Sequence, residues 1–541
     1  MGEVFFGFGG SKEDTTEGLM SPNQHKRVLS GTAGEQDEMR KIMRIDRECN
    51  KPHWTGAALL REAQKLYKNE LLKWRCPEQE RAMRLFANGT PEVLLVLATG
   101  SRKSLPFMLG SSLPGARTTI VIVPLVLLRL DLLRRCKELG LNPVVWSSAG
   151  DVVPGMDGAS ILLFVSVEVA ARHTFRQFAR RLYDTGNLDR SMIDECHLIH
   201  TSAHYRRHMA QLNELRQFKV PFVYMTATLP SRLEEELFRR HHISTASIVR
   251  GCTKRPNVRY GVEYLRVPKG EGLTSFTCRT IVQRWEDRHR AEWKDARVMI
   301  FVRSCADAEE VAKKIGCSYY HREIGTTEEK ETRLRDWMSG ESGSPFLACT
   351  TAAGAGVGYA HVRWVVHIED PYGLINFAQE SGLGGRDGEA AGSTVFMKRE
   401  PRLASPPTPL DHADPTDQEA INEYLRGLQC RRMCLAQELD EAKYRQTCGE
   451  SDMECDICEA RREQGIASTD PPETTLRQGT MLECSDDNVA EEAEDESKNG
   501  GAMRYRRRQI QDQFEMDEYL RRLPQTKGYC IICRILTPGV D

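Results

Sequence analysis

Between residues 90 and 400 the chain alternates short apolar, β-branched runs with longer stretches of helical periodicity. The runs are Val93–Ala98, Thr119–Val123, Ile161–Val165, Ser191–Ile193 and Phe222–Met225. After Arg255-Pro256-Asn257 come Val298–Val302, Phe346–Cys349, Trp364–Ile368 and Thr394–Met397. Continuous apolar runs are the pattern of strands buried on both faces, and interleaved helices predict parallel sheets covered on each side. Two such series predict an α/β protein with two tandem lobes and a cleft between them. Upstream, residues 55–88 are predicted helical, with Leu59, Leu60, Ala63, Leu66 and Tyr67 on one face.

The remaining pattern divides the chain further. Residues 1–50, rich in Gly, Ser and charge, predict a disordered leader. A helical lead-in and first lobe occupy 51–252 and the second lobe 253–400. Residues 401–418 form a Pro-rich linker, 419–460 a Cys-rich helical module, and 461–503 an acidic, disordered stretch. The last segment, 504–541, opens on Arg504-Tyr505-Arg506-Arg507-Arg508 and carries Cys530-Ile531-Ile532-Cys533.

With 541 residues and 40% hydrophobic content the chain can bury real cores, which excludes disorder throughout. The N-terminus lacks the basic start and apolar core of a signal peptide. The apolar stretch Ile120–Leu128 is broken by Pro124 and far short of the roughly 20 residues that span a bilayer. A soluble intracellular protein with no membrane partner is expected, in which 17 cysteines are reduced thiols or metal ligands rather than disulfides. A net charge of −2 gives no global nucleic-acid signature, so any DNA contact must use local basic surface.

Two segments carry candidate chemistry. Met192-Ile193 leads into Asp194-Glu195-Cys196-His197, and an acidic pair at the end of a buried strand is suited to holding Mg²⁺ and orienting water in nucleotide hydrolysis. About ninety residues upstream, the run ending at Ala98 passes into Thr99-Gly100-Ser101-Arg102-Lys103-Ser104. A strand, a turn and Lys-Ser at the start of a helix form a phosphate cradle: backbone N–H groups face the anion, Lys reaches the β/γ-phosphates and the Ser hydroxyl takes Mg²⁺.

Further segments follow at ordered spacing: Gln79 in Trp74-Arg75-Cys76-Pro77-Glu78-Gln79; Val123-Pro124-Leu125 with Asp131; Ser166 with Glu168; Thr226-Ala227-Thr228-Leu229-Pro230; and Gln379-Glu380-Ser381-Gly382-Leu383-Gly384-Gly385-Arg386-Asp387-Gly388. From about Trp74 to Cys458 the chain resembles RecQ-type DNA helicases of superfamily two, and is similar to diverged fungal copies of that family. The resemblance implies two RecA-like lobes followed by a small helical zinc-binding module. It implies an ATP-dependent enzyme moving 3′ to 5′ on single-stranded or forked DNA in the nucleus, in recombination or repair. Lys103, Asp194, Glu195 and Arg386 would be catalytic. Gln79, Thr99, Gly100, Ser101, Lys103, Ser104, His197 and Gln379 would bind ATP, with Ser104 and Asp194 on Mg²⁺. An Arg delivered from the second lobe stabilises transition-state charge only when the cleft closes, which ties hydrolysis to motion.

The Cys-rich module supplies Cys430, Cys448, Cys455 and Cys458 in the order of the family's zinc module. Four thiolates satisfy tetrahedral Zn²⁺ and leave no open position, so the site would be structural. Cys434, one helical turn from Cys430, is an alternative first ligand. Cys530 and Cys533 have no second pair nearby.

Three positions depart from the family. Arg102 replaces the phosphate-loop Gly, Leu383 replaces the first Arg of the Gln-Glu-Ser-Gly motif, and Gly358 stands where Asp is usual. Losing one such phosphate contact typically costs about 10²-fold in rate, so weakened ATPase activity is expected. After the Asp-Glu-Cys-His box, His200-Thr201-Ser202-Ala203-His204-Tyr205-Arg206 holds one aromatic ring beside its histidines rather than the family's aromatic-rich loop. A non-catalytic DNA-binding or scaffold protein is the alternative reading.

Overall fold

The computed structural model describes residues 53–146, 160–201, 208–289, 295–354, 358–398 and 414–465. The leader, most of the linker and acidic stretch, residues 202–207, the basic patch at 504–508, and Cys530 and Cys533 lie outside the described residues.

The first lobe is a parallel seven-stranded sheet. Its strands are β1 (Glu92–Val96), β2 (Thr118–Ile122), β3 (Pro143–Val145), β4 (Leu162–Val165), β5 (Leu188–Ile193), β6 (Phe222–Thr226) and β7 (Ser247–Arg250), in the order β3-β4-β2-β5-β6-β1-β7. Each strand projects alternate apolar side chains to opposite faces. Leu94, Val96, Ile120, Ile122, Leu163, Val165, Ile193 and Tyr224 pack with Trp146, Phe175 and Phe178 on one face. Val93, Leu95, Val121, Phe164, Met192, Val223 and Met225 pack with Phe86, Phe107, Met108 and Leu132 on the other. β1 leads into a helix and β2 lies beyond β5 and β6, so the chain reverses direction across the sheet between β1 and β5. Ligands of such sheets bind at the carboxyl ends of the strands at this switch point.

The second lobe is a parallel six-stranded sheet. β8 (Val258–Leu265), β9 (Arg297–Phe301), β10 (Ser318–Tyr320), β11 (Phe346–Cys349), β12 (Val362–Ile368) and β13 (Ala391–Lys398) lie in the order β10-β11-β9-β12-β13-β8. β8 pairs with β13 over its whole length. Outside this edge Ile421, Tyr424, Leu425 and Leu435 of the Cys-rich module pack on Val258, Tyr260 and Phe377.

Every strand predicted from an apolar run is present, with ends shifted by a residue or a few. β3, β7, β8 and β10 were not predicted, because they are short or interrupted by polar residues. The helical stretch over 55–88 breaks into Gly56–Tyr67 and Pro77–Ala87. Lys68 adopts a left-handed conformation that ends the first helix, and Pro77 occupies the first position of the second. Pro415, Thr416, Asp417 and Gln418, predicted as linker, form the first turn of helix Pro415–Arg426, capped by Asp414, whose side chain accepts from the Thr416 N–H.

Candidate nucleotide site and cysteine cluster

β1 delivers the chain into the loop Thr99–Ser104, and helix Leu105–Ser112 begins directly after it. At this helix start the Leu105 N–H donates to Arg102 O at 2.9 Å and Pro106 has no N–H, so these first helical positions offer no free donor to an anion. Gln79, buried on helix Pro77–Ala87, braces the loop: its Nε2 donates to Ser101 O at 2.8 Å and its Oε1 accepts from Arg75 N–H at 2.9 Å. One donor and one acceptor of the amide remain for a base. Ser104 Oγ is buried and has no hydrogen-bond partner among the described residues, so this hydroxyl is available to a cation.

Arg102 is held at φ 59°, in the left-handed region that a glycine adopts without strain. Its guanidinium turns to the Tyr67 ring, 5.5 Å from the centroid. The arginine therefore preserves the course of the loop at a conformational cost and directs its side chain at an aromatic face.

β5 ends at Ile193 and presents Asp194 and Glu195 to the same edge. Lys103 Nζ lies 3.4 Å from Glu195 Oε1, with both side chains largely buried. Asp194 Oδ1 accepts from the Glu195 N–H at 3.0 Å, and Glu195 itself has a positive φ of 48°. Burial, and then the neighbouring Glu195, push the Asp194 carboxyl up to about 7. Burial also acts to raise Glu195, but the Lys103 ammonium and His197 outweigh it and hold that carboxyl below its ordinary value. Two adjacent buried carboxyls beside an orphaned hydroxyl form a donor set that fits Mg²⁺, whose charge would favour the ionised form of both.

The second lobe faces this edge. His197, buried, contacts Thr226 Oγ1 through Nδ1 at 2.8 Å and Gln379 Oε1 through Nε2 at 3.1 Å. Gln379 sits on helix Leu374–Ser381, and the loop after that helix comes close to the phosphate loop. A Cβ on Gly382 would lie 2.9 Å from Thr99 Oγ1, so only glycine permits this approach. Desolvation, then Arg255, depress the Arg386 guanidinium to about 10, while Asp131 and Glu195 oppose them. Arg386 therefore lies within electrostatic range of the Glu195 carboxyl from the opposite lobe.

The other two departures have structural reasons. Leu383 is fully buried in the second-lobe core with Met299, Leu347 and Val365, so the position contributes packing and no charge. At Gly358 a Cβ would lie 2.4 Å from Asp131 Oδ1 of the first lobe. The Asp131 carboxylate fills the space that an aspartate at 358 would need.

In the module, the sulfurs of Cys430, Cys448, Cys455 and Cys458 all lie within 4.8 Å of one another. Cys430 Sγ is 3.7 Å from Cys448 Sγ and 3.8 Å from Cys455 Sγ. Cys430 is the N-cap of helix Arg431–Leu439, which aims it at the cluster. Cys434, one turn on, lies in the apolar contact with β8 and does not join. The cluster is a single pocket of four thiols, a donor set that fits Zn²⁺.

Residues 284–388 match the family model described as the helicase conserved C-terminal domain. A protein of Caenorhabditis briggsae described as an ATP-dependent DNA helicase Q1 is 28% identical over 76% of this chain and 67% of its own length. The ATP-dependent DNA helicase RecQ of Haemophilus influenzae is 26% identical over 70% of this chain and 60% of its own. The chain is similar to RecQ-type ATP-dependent DNA helicases. It spans about two thirds of these two relatives' length or less. Among solved structures the DEAD-box helicase Mss116, bound to single-stranded RNA, shares the two-lobe fold with a TM-score of 0.51 at 14% identity, over 64% of this chain and 76% of that one. Among the described residues no helix is long and apolar enough to cross a membrane.

Within this two-lobe fold the sequence-predicted residues Lys103, Ser104, Asp194, Glu195, His197, Gln379 and Arg386 lie along one cleft, with Gln79, Thr99, Gly100 and Ser101 around it. Sequence reasoning missed Arg255 and Arg432. Arg255 was visible only as part of the Arg-Pro-Asn that opens the second series, and Arg432 only as a neighbour of Cys430. Arg255 donates to the carbonyls of Gly382, Gly384 and Gly385. Arg432 donates to those of Arg255, Pro256, Val258 and Met453. Neither set of partners is adjacent in sequence, and no local signal marks them.

Proposed function

We propose that the chain is an ATP-dependent DNA helicase that moves 3′ to 5′ on single-stranded or forked DNA. The observation that carries this reading is the meeting of Lys103 and Glu195 from the first lobe with Gln379 and Arg386 from the second. Lys103 would reach the β/γ-phosphates from the loop between β1 and helix Leu105–Ser112. Glu195, held ionised by Lys103 and His197, is suited to orient a water and accept its proton. Ser104 and Asp194 would hold Mg²⁺, which when bound offsets negative charge on the phosphates. Arg386 approaches from the other lobe, where a cation stabilises charge developing on the transferred phosphoryl group. His197 joins the Thr226 segment to Gln379, so nucleotide-dependent closure can be passed to the lobe motion that moves a DNA strand.

In the module, Cys430, Cys448, Cys455 and Cys458 would hold a structural Zn²⁺. Work in the nucleus, in recombination or repair, follows from the family relationship alone.

A second reading, a DNA-binding scaffold that retains the fold without the motor, is favoured by the strained Arg102 in the phosphate loop and by Leu383 in the core. Phosphate release with and without single-stranded DNA, for wild type and Glu195→Gln, separates the two. The helicase reading expects DNA-stimulated release that the variant loses by about 10²-fold or more while still binding ATP. Equal background release by both proteins, with normal DNA binding, supports the scaffold.

A further inference from the structure

The segment Arg255-Pro256-Asn257 joins the last strand of the first lobe to β8 of the second. From this junction the Arg255 side chain reaches the loop that follows helix Leu374–Ser381. Nη1 donates to Gly382 O at 2.7 Å, and Nη2 donates to Gly384 O at 2.6 Å and Gly385 O at 3.0 Å. These carbonyls lie at and just beyond the carboxyl end of the helix, where backbone acceptors lack helical partners and the helix dipole favours a cation. The next residue is Arg386. Asn257 adds a second clamp, with Nδ2 donating to Gly385 O at 2.8 Å and Glu389 O at 2.7 Å.

Arg255 is itself fixed from behind. Its carbonyl accepts from Arg432 Nη1 at 2.6 Å and from the Val258 N–H at 3.1 Å. Arg432 follows Cys430 by two positions and is anchored by three further carbonyls. Fixed main chain, planar guanidinium and fanned carbonyls form one continuous connection from the Cys-rich module to the loop carrying Arg386. A fork of donors suits carbonyls spread in an arc, and a lysine ammonium cannot span them equally. With Leu383 in the core, Arg386 is the one arginine of its motif, and its placement depends on this loop.

We propose that Arg255 is a positioning residue for ATP hydrolysis, holding the loop Gly382–Gly385 so that Arg386 meets the phosphates from the second lobe. The proposal rests on the ATPase reading above, and it predicts a loss in turnover rather than in ATP binding.

The test compares the full-length wild type with Arg255→Met and Arg255→Lys in three measurements: DNA-stimulated kcat, Kd for ATP, and amide hydrogen exchange. Expected for Arg255→Met is a kcat lowered by about tenfold or more with ATP Kd within about twofold, and Arg255→Lys should fall between Met and wild type. Exchange should accelerate at residues 382–388, whose N–H groups bond Ala378, Glu380, Ser381, Val362 and Gly385 carbonyls, and not in β9 or β12. Unchanged kcat with unchanged loop exchange overturns the proposal. So does acceleration spread through β9 and β12, which would make Arg255 a residue of general packing. If Arg255→Met does not fold, Arg255→Lys is judged by the same criteria. A wild type that releases no phosphate refutes the ATPase reading and with it the role in hydrolysis, while the exchange data still decide whether Arg255 holds the loop.

Discussion

His197 Nε2 of the first lobe lies 3.1 Å from Gln379 Oε1 of the second. The imidazole bridges two segments: Nε2 faces the Gln379 carbonyl oxygen, and Nδ1 lies 2.8 Å from the Thr226 hydroxyl and 3.4 Å from Glu195 Oε2, while the Thr226 oxygen accepts from the Thr228 N–H at 3.2 Å. One chain of hydrogen bonds thus runs from the Thr-Ala-Thr segment through the acidic box to the opposite lobe. On the proposed function, the residues that handle phosphate and those that respond to lobe movement share it.

Removing either end should uncouple the lobes without emptying the nucleotide site. Gln379→Ala and His197→Ala are expected to lower DNA-stimulated kcat by about 10- to 100-fold, with ATP Kd changed by less than about threefold. The double variant should lose little more than either single one, because both belong to one connection. Fully multiplicative losses would show that the two side chains act independently.

Arg102 offers a gain-of-function test. Left-handed backbone costs a non-glycine residue roughly 1 kcal/mol, whereas glycine adds a comparable entropy to the unfolded chain. Arg102→Gly should therefore change stability by less than about 1 kcal/mol while raising phosphate release and lowering KM for ATP. An unaltered rate would show that the loop already has its working shape despite the strain.

Much of this arrangement was legible in the sequence, and the reasons differ by element. Val93–Ala98 and Ser191–Ile193 are apolar enough to announce buried strands, and Lys103-Ser104 and Asp194-Glu195 sit where those strands deliver loops to one edge. β8 reads Val-Arg-Tyr-Gly-Val-Glu-Tyr-Leu, with polar residues interrupting the run, and is identifiable only from its pairing with β13. The bonds of Arg255 to Gly382, Gly384 and Gly385, and those of Arg432 to Arg255, Pro256 and Val258, span more than a hundred positions and depend on tertiary packing. Cys434 stood as an alternative to Cys430 in the sequence, and the position of each relative to helix Arg431–Leu439 distinguished them. The positions of Leu383 and Gly358 acquired a physical reason only when their neighbours, a buried core and the Asp131 carboxylate, became visible.

The cysteine cluster predicts a selective loss of metal. Cys455→Ser should release one equivalent of zinc per chain, measured by elemental analysis, and lower thermal stability. Cys434→Ser should retain the full equivalent. A protein that holds no zinc as purified, or loses it on changing Cys434, would contradict the assignment.

Two buried carboxyls predict a dependence of stability on pH. Burial pushes Asp417 up to about 7, opposed by the Ile375 N–H and Arg232 and reinforced by Glu438 and Asp414. Asp440 is raised to about 6 by burial, opposed by Thr253, Arg250 and Arg445. In the unfolded chain both ionise near about 4. Between these values the unfolded state releases protons that the folded state keeps. Each group's contribution is complete below pH 4 and falls as pH rises towards 7. The stability advantage of wild type over Asp417→Asn, from urea midpoints, should shrink over this range. A constant difference would refute the burial effect.

The central claim is that Arg386 enters the nucleotide site from the second lobe and acts on the transferred phosphate. Steady-state phosphate release with saturating single-stranded DNA, measured together with ATP affinity for wild type and Arg386→Ala, tests it most directly. The structure predicts a wild-type rate that DNA stimulates, and a variant that binds ATP within about threefold of wild type but releases phosphate at least about 10²-fold more slowly. Equal DNA-stimulated rates in the two proteins would contradict it.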